Sequence, residues 1–161
     1  MRGFGEREAA TLYADQFEIY HGNSNPGLAR KISRYLGTQP GRAEVFQFAN
    51  ENIFVKILEN VREKDVFLVQ PTSSPVNQSI MELLIMLDAC KRSSAGRVTA
   101  VVPYFAYGRT DKRDQPRVPI TARLLAEGVS KQLGTNVIVV NRPGAGGAIG
   151  YRHVAAQKPD G

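Results

Sequence analysis

The chain has 161 residues, 42% of them apolar, enough for one domain with a real core, which excludes disorder as the default. Its net charge of +6 points to an anionic partner, yet its Lys and Arg residues are scattered with no block of five or more, which suits a phosphate-bearing small molecule better than a nucleic acid. A single cysteine excludes a disulfide framework, and no apolar run reaches the roughly 18 residues a membrane span needs, so a reduced, cytoplasmic setting away from the membrane is expected.

Residues 1–16, MRGFGEREAATLYADQ, are polar and weakly helical, lack the apolar segment of an export signal, and read as an N-terminal extension. FEIYHG then predicts a short buried strand. NSNPGLARKISRYLG predicts a helix with Asn25 as its N-cap, Pro26 in its first turn and Gly37 just past its end. AEVFQF and NIFVKI, separated by ANE and rich in β-branched and aromatic residues, predict a hairpin. DVFLVQ is a continuous apolar strand pattern that ends in the turn-forming PTSSPVNQ. SIMELLIMLDACKRSS is apolar on most of its circumference, as a helix buried against a sheet would be, and Gly96 supplies its stop. Within it Cys90 is expected to pack as a small hydrophobe. A nucleophilic role would need an activating base, and His21 and His153 sit in unrelated contexts. VTAVVPYF predicts a further buried strand, AYGRTDKRDQPR is the most charged loop, ITARLLAEGVSKQL an amphipathic helix, and NVIVVN a last strand.

Apolar strands alternating with helices define the α/β class, with a parallel sheet flanked by helices on both faces. Ligands of such sheets sit beyond the carboxyl ends of the strands, which selects the loops after DVFLVQ and VTAVVPYF. In the second loop Arg109, Asp111, Lys112, Arg113, Asp114 and Arg117 fall within nine positions. Arginine forks and a lysine charge bind phosphate oxygens, although a solvated charged loop has the same composition. The first loop leads into a helix N-terminus whose N–H groups can receive an anion, or be capped by Asn77 or Ser79. In FQFANENIFV an aromatic ring beside short amides suits stacking on a base and reading its edge, or simply makes a strand-end turn.

The stretches NSNPGLARKISRYLG, NVREKDVF, MELLIMLDA, SSAGRVTAVVPYFAYGR and PRVPIT, in that order, resemble the N-terminal half of the ribose-phosphate pyrophosphokinase (phosphoribosyl pyrophosphate synthetase) family from about Phe17 to Ala126. The resemblance implies a phosphoribosyltransferase-like domain with a small flag-like hairpin. It also implies an enzyme of nucleotide biosynthesis that transfers the β,γ-diphosphoryl group of ATP to ribose 5-phosphate with magnesium, this half supplying mainly the ATP site. Phe48 matches the aromatic residue that stacks on adenine. Asn50 and Asn52 stand where many members carry Asp and Glu, and their amide oxygens can still accept from the adenine amino group. Arg109 matches the arginine of the family's YxRQD motif along the ATP, Thr110 replaces its glutamine, and Asp111 agrees with it.

After PITARLLA the pattern departs. The Asp-Leu-His motif whose histidine helps hold magnesium, the loop with catalytic Lys and Arg, and the ribose 5-phosphate loop are not in this sequence, so no catalytic residue or metal ligand is assigned. EGVSKQLGTNVIVVNRPGAGGAIGYRHVAAQKPDG instead resembles the substrate-binding proteins of tripartite tricarboxylate transporters, and ARLLAE suits both families, which puts a junction near Ala122–Glu127. Gly144, Gly146, Gly147 and Gly150 follow the spacing G-x-G-x-x-x-G, which does not make a dinucleotide-binding turn, and are expected to be structural. Three segments are thus expected: 1–16, 17–126 and 127–161. The expected function is that of a truncated or chimeric ribose-phosphate pyrophosphokinase that keeps part of the ATP site. It would meet ribose 5-phosphate only if the other half is supplied, and it is expected as a homo-oligomer or in association with a full-length enzyme. The alternatives are a non-catalytic oligomer subunit, a carboxylate-binding fragment, and a gene-assembly product without selected function.

Overall fold

The computed structural model describes residues 17–108 and 119–134. The elements in chain order are β1 (Phe17–His21), α1 (Pro26–Tyr35), β2 (Ala43–Gln47), β3 (Ile53–Ile57), β4 (Asp65–Val69), α2 (Val76–Arg92), β5 (Arg97–Val101) and α3 (Thr121–Leu133). The expected extension 1–16, the last strand NVIVVN and the four C-terminal glycines lie outside the described residues.

The central sheet has three strands in the order β1-β4-β5, all parallel, with Phe17 opposite Asp65 and Asp65 opposite Arg97. β2 and β3 form a separate antiparallel hairpin in which Val45 faces Val55 and Phe46 faces Phe54. This is the α/β architecture with a flag-like hairpin that the sequence predicts. No helix of the described residues is long and apolar enough to cross a membrane.

Local chemistry sets the helix ends. At the start of α1 the Asn25 side chain accepts a hydrogen bond from the Leu28 N–H at 3.0 Å, and Pro26 occupies the first turn, where its missing N–H costs nothing. At its end Gly37 takes φ +72°, which lets the Thr38 N–H reach the Ser33 carbonyl at 2.9 Å. The end of α2 differs from the expectation. Gly96 is not its stop. Ser93 is the C-cap and Ser94 adopts the left-handed conformation, while Gly96 lies where a Cβ would come within 2.7 Å of the Glu63 carbonyl oxygen. A close backbone approach, rather than a positive φ, is what requires glycine there.

α2 presents Ser79, Glu82, Leu83, Met86, Leu87 and Cys90 to the interior, the three-to-four spacing of one helix face. Its apolar members meet Tyr20, Val66 and Leu68 of the sheet and Val45, Val55 and Ile57 of the hairpin. Each fully buried large side chain in this cluster contributes about 1.5–3 kcal/mol relative to exposure. α3 adds Ala122, Ala126 and Val129 along one stripe, with Val129 and Leu133 joining the same core. The opposite sheet face meets only α1 among the described elements, through Leu28, Ala29 and Ile32 against Phe17, Ile19, Phe67, Val69 and Val101.

Candidate functional site

The carboxyl ends of β1, β4 and β5 lie at one end of the parallel sheet, and the hairpin packs beside α2. β4 runs into Gln70 and Thr72, both buried, and Thr72 ties the next loop down. Its N–H and hydroxyl donate to the Tyr104 carbonyl at 2.8 and 2.9 Å, and its hydroxyl accepts from the Ala106 N–H at 2.6 Å. The loops after β4 and β5 are therefore held as a unit, as the position of a site demands. Ser24 and Ser73 hydroxyls meet at 3.0 Å and link the β1 loop to the same floor.

The N-terminus of α2 differs from its predicted capping. Pro75 occupies the N-cap position and no side chain caps the helix. Ser79 instead donates its hydroxyl to the Ser73 carbonyl at 3.1 Å, and Asn77 accepts from the Tyr107 hydroxyl at 3.0 Å. Both polar side chains thus tie loops to the helix, because the prolines and serines before α2 double back beside it.

At the hairpin tip, the Phe48 N–H donates to the Asn52 carbonyl at 2.8 Å, the Glu51 N–H to the Phe48 carbonyl at 2.9 Å, and the Asn52 N–H to Asn50 Oδ1 at 3.2 Å. Glu51 takes φ +68° to close the turn. Cross-strand pairing puts Phe46 and Phe54 on the outward face. The Phe48 ring stands edge-on to both, at centroid distances of 5.1 and 6.0 Å, a geometry aromatic quadrupoles favour. Phe48 remains 49% exposed, so ring surface stays open to a stacking partner.

Behind the tip, Gln47, Glu51, Asn52 and Ile53 of the hairpin and Asn77, Gln78, Met81 and Ile85 of α2 line an open cleft of about 610 Å³. The hairpin is fixed at its base by Arg42 and Glu59. Arg42 donates its Nε to Glu59 Oε1 at 3.0 Å, and burial of the Glu59 carboxyl is outweighed by these hydrogen bonds, which hold it below the usual carboxylate range.

The structure brings together Phe48, Asn50 and Asn52 of the sequence-predicted site. Arg109, Thr110 and Asp111 lie outside the described residues, as do Lys112, Arg113, Asp114 and Arg117. Among the described residues no three His, Cys, Asp or Glu side chains are grouped to hold a metal ion. Cys90 is fully buried in the core, and burial pushes its thiol up to about 12, the state of a packing residue.

Sequence reasoning passed over a buried polar cluster behind the hairpin. Glu82, 2% exposed, accepts from the Asn23 N–H at 2.8 Å, from Asn23 Nδ2 at 2.7 Å and from Gln70 Nε2. The available signal was an acid on the core face of an otherwise apolar helix.

A family model described as the N-terminal domain of ribose phosphate pyrophosphokinase matches residues 17–132, and one described as the tripartite tricarboxylate transporter family receptor matches residues 121–161. The chain is 44% identical over 136 residues to ribose-phosphate pyrophosphokinase 1 of Spinacia oleracea, covering 84% of this chain and 40% of the relative. It is 49% identical over 124 residues to ribose-phosphate pyrophosphokinase of Agrobacterium fabrum, covering 77% and 40%. The crystal structure of phosphoribosylpyrophosphate synthetase from Mycobacterium smegmatis superimposes with a TM-score of 0.71 at 39% identity, covering 73% of this chain and 39% of that one. The chain therefore spans about 40% of the length of these relatives. With most of its length matched, from β1 into α3, the chain belongs to the family defined by the N-terminal domain of ribose phosphate pyrophosphokinase.

Proposed function

We propose that the chain supplies the ATP-facing part of a ribose-phosphate pyrophosphokinase, in which the β,γ-diphosphoryl group of ATP passes to the anomeric hydroxyl of ribose 5-phosphate and AMP leaves. The observation that carries this reading is the half-exposed Phe48 ring at the hairpin tip, braced at its edges by Phe46 and Phe54 with Asn50 and Asn52 beside it. Stacking of a base on such a ring is worth about 1–3 kcal/mol. The Asn52 side chain has no hydrogen-bond partner among the described residues and can address the edge of the adenine. Arg109 and Asp111 would take the phosphates, with Thr110 between them.

Because residues 121–161 match a second family, the reading includes a junction within α3 and nucleotide binding by residues 17–132 that does not by itself bring turnover. Such transfer rests on positioning several charged groups at once. Ribose 5-phosphate and magnesium would be engaged only with the catalytic half supplied by a full-length enzyme. A second reading, a carboxylate-binding segment at 121–161, starts from that match alone. Calorimetric titration with Mg-ATP, alongside a turnover assay with ribose 5-phosphate, tests the first; titration with citrate tests the second. Mg-ATP binding that weakens in Phe48→Ala, without phosphoribosyl pyrophosphate formation, is the expected result. Equal affinity in the parent and Phe48→Ala would remove Phe48 from the site, and turnover by the isolated chain would overturn the half-site.

A further inference from the structure

We propose that Glu82 is a positioning residue: through Asn23, its buried carboxylate holds the β2–β3 hairpin, and with it Phe48, in place beside α2. The functional consequence rests on the nucleotide reading above; the clamp itself does not.

Glu82 sits on the inward face of α2, between elements that are far apart in sequence. No Lys or Arg among the described residues forms an ion pair with it. Instead, three N–H groups converge on its two oxygens. The Asn23 backbone N–H and Gln70 Nε2 donate to Oε2, and Asn23 Nδ2 donates to Oε1. A buried carboxylate is tolerated only when its lone pairs are filled in this way, and an apolar side chain would pack there at lower cost if packing were the only requirement. Gly22 leaves room for the arrangement, since a Cβ on it would lie 2.6 Å from both Gln70 Oε1 and Glu82 Oε2.

Asn23 Nδ2 carries two hydrogens. The second bond from it, at 3.0 Å, goes to the Val45 carbonyl in the middle of β2. The path therefore runs from α2 through the β1 loop into the hairpin strand that leads to Phe48 three residues later. Arg42 and Glu59 fix the base of the hairpin, and Asn23 fixes it partway to the tip. An amide suits this relay because its neutral NH₂ has two hydrogens, one for the carboxylate and one for the carbonyl.

The test uses the whole chain and two variants, Asn23→Ala and Glu82→Gln, with Phe48→Ala as a reference. Glu82→Gln replaces one acceptor with a donor that faces an N–H. Should it fail to fold, Asn23→Ala, altered in an exposed loop, carries the test alone. Three readouts are taken: amide hydrogen exchange across residues 43–57, the aromatic resonances of Phe46, Phe48 and Phe54 with the Met86 methyl as a core control, and Mg-ATP affinity. Loss of the Asn23 bonds should speed hairpin exchange about fivefold to tenfold and shift the three rings, while Met86 stays in place. Mg-ATP affinity should fall about fivefold, whereas Phe48→Ala should weaken nucleotide binding and leave hairpin exchange as in the parent. Parent-like exchange and ring resonances in Asn23→Ala would overturn the clamp. Faster exchange in a chain whose parent form binds no Mg-ATP would uphold the clamp and remove the nucleotide reading instead.

Discussion

On one face of the β1-β4-β5 sheet, Tyr20, Val66 and Leu68 disappear under Leu83, Met86, Leu87 and Cys90, with the hairpin and α3 closing the sides. On the other, α1 covers Ile19 and Val69, but Phe17, Ile32, Leu36, Phe67 and Val101 line with them an open apolar groove of about 290 Å³. The strands are apolar on both sides, so the sequence predicts two covered faces. The described residues close one and half-close the other. Burial on the first face is complete enough that shape decides stability; on the second, side chains can relax into the groove.

The largest effect that tests this contrast is a cavity. Leu87→Ala, at a site with no exposure, should cost about 2–5 kcal/mol in urea denaturation, and Ile32→Ala on the groove rim under about 2 kcal/mol. Equal losses would mean that the two faces are packed alike. Overpacking the closed face comes next. A Cβ on Gly41 would lie 2.5 Å from Tyr20 Cζ, and Tyr20 is fully buried with its ring against the core, so Gly41→Ala should destabilise by about 1–3 kcal/mol. A variant as stable as the parent would show that the Tyr20 ring has room to move.

The same contrast explains which features could be read from the sequence. Asn25, Pro26 and Gly37 act within a few residues of one another, so α1 and its two ends were legible. So was the hairpin, since AEVFQF and NIFVKI pair with their immediate neighbours. Ser79 and Asn77 looked like caps because their partners, Ser73 behind the turn and Tyr107 after β5, are set by how the loops double back. Glu82 was passed over because its donors come from positions 23 and 70, far from it in the sequence. Phe48, Asn50 and Asn52 were legible as a local aromatic and amide cluster, whereas the cleft between the hairpin and α2 depends on the long-range packing of Val45, Val55 and Ile57 on the core.

Alkaline pH should act on the closed face. Burial raises the Cys90 thiol to about 12, and Tyr20 is likewise held above the ordinary phenol range, first by burial and then by Glu18 and Glu59. Both groups are neutral in the folded chain and ionise more readily once unfolded. Their contribution is therefore complete below the unfolded values and is lost as pH rises above them. At one unit above the thiol's ordinary value of 9.0, the Cys90 share of the loss should be about 1.4 kcal/mol. Denaturation midpoints between pH 8 and 10 should fall less steeply in Cys90→Ala than in the parent, and superimposable profiles would place the thiol in contact with water.

The smallest effect belongs to neither face but to the amino end of the strands. Arg97 and Asp65 stand opposite each other on β5 and β4 and form a two-pronged pair, Nε to Oδ1 at 3.1 Å and Nη2 to Oδ2 at 2.6 Å. Their side chains are 42% and 37% exposed, so water and salt screen the attraction. Arg97→Ala should cost no more than about 1 kcal/mol, and a double-mutant cycle with Asp65→Ala should give a coupling that shrinks in 1 M salt. The pair lies at the end of the sheet opposite the hairpin tip, so these variants should leave Mg-ATP affinity within about twofold of the parent. A larger change would mean that strain at the amino ends reaches the loops at the carboxyl ends, and the parallel sheet would then have to be treated as one elastic unit rather than as two faces and two ends that can be perturbed separately.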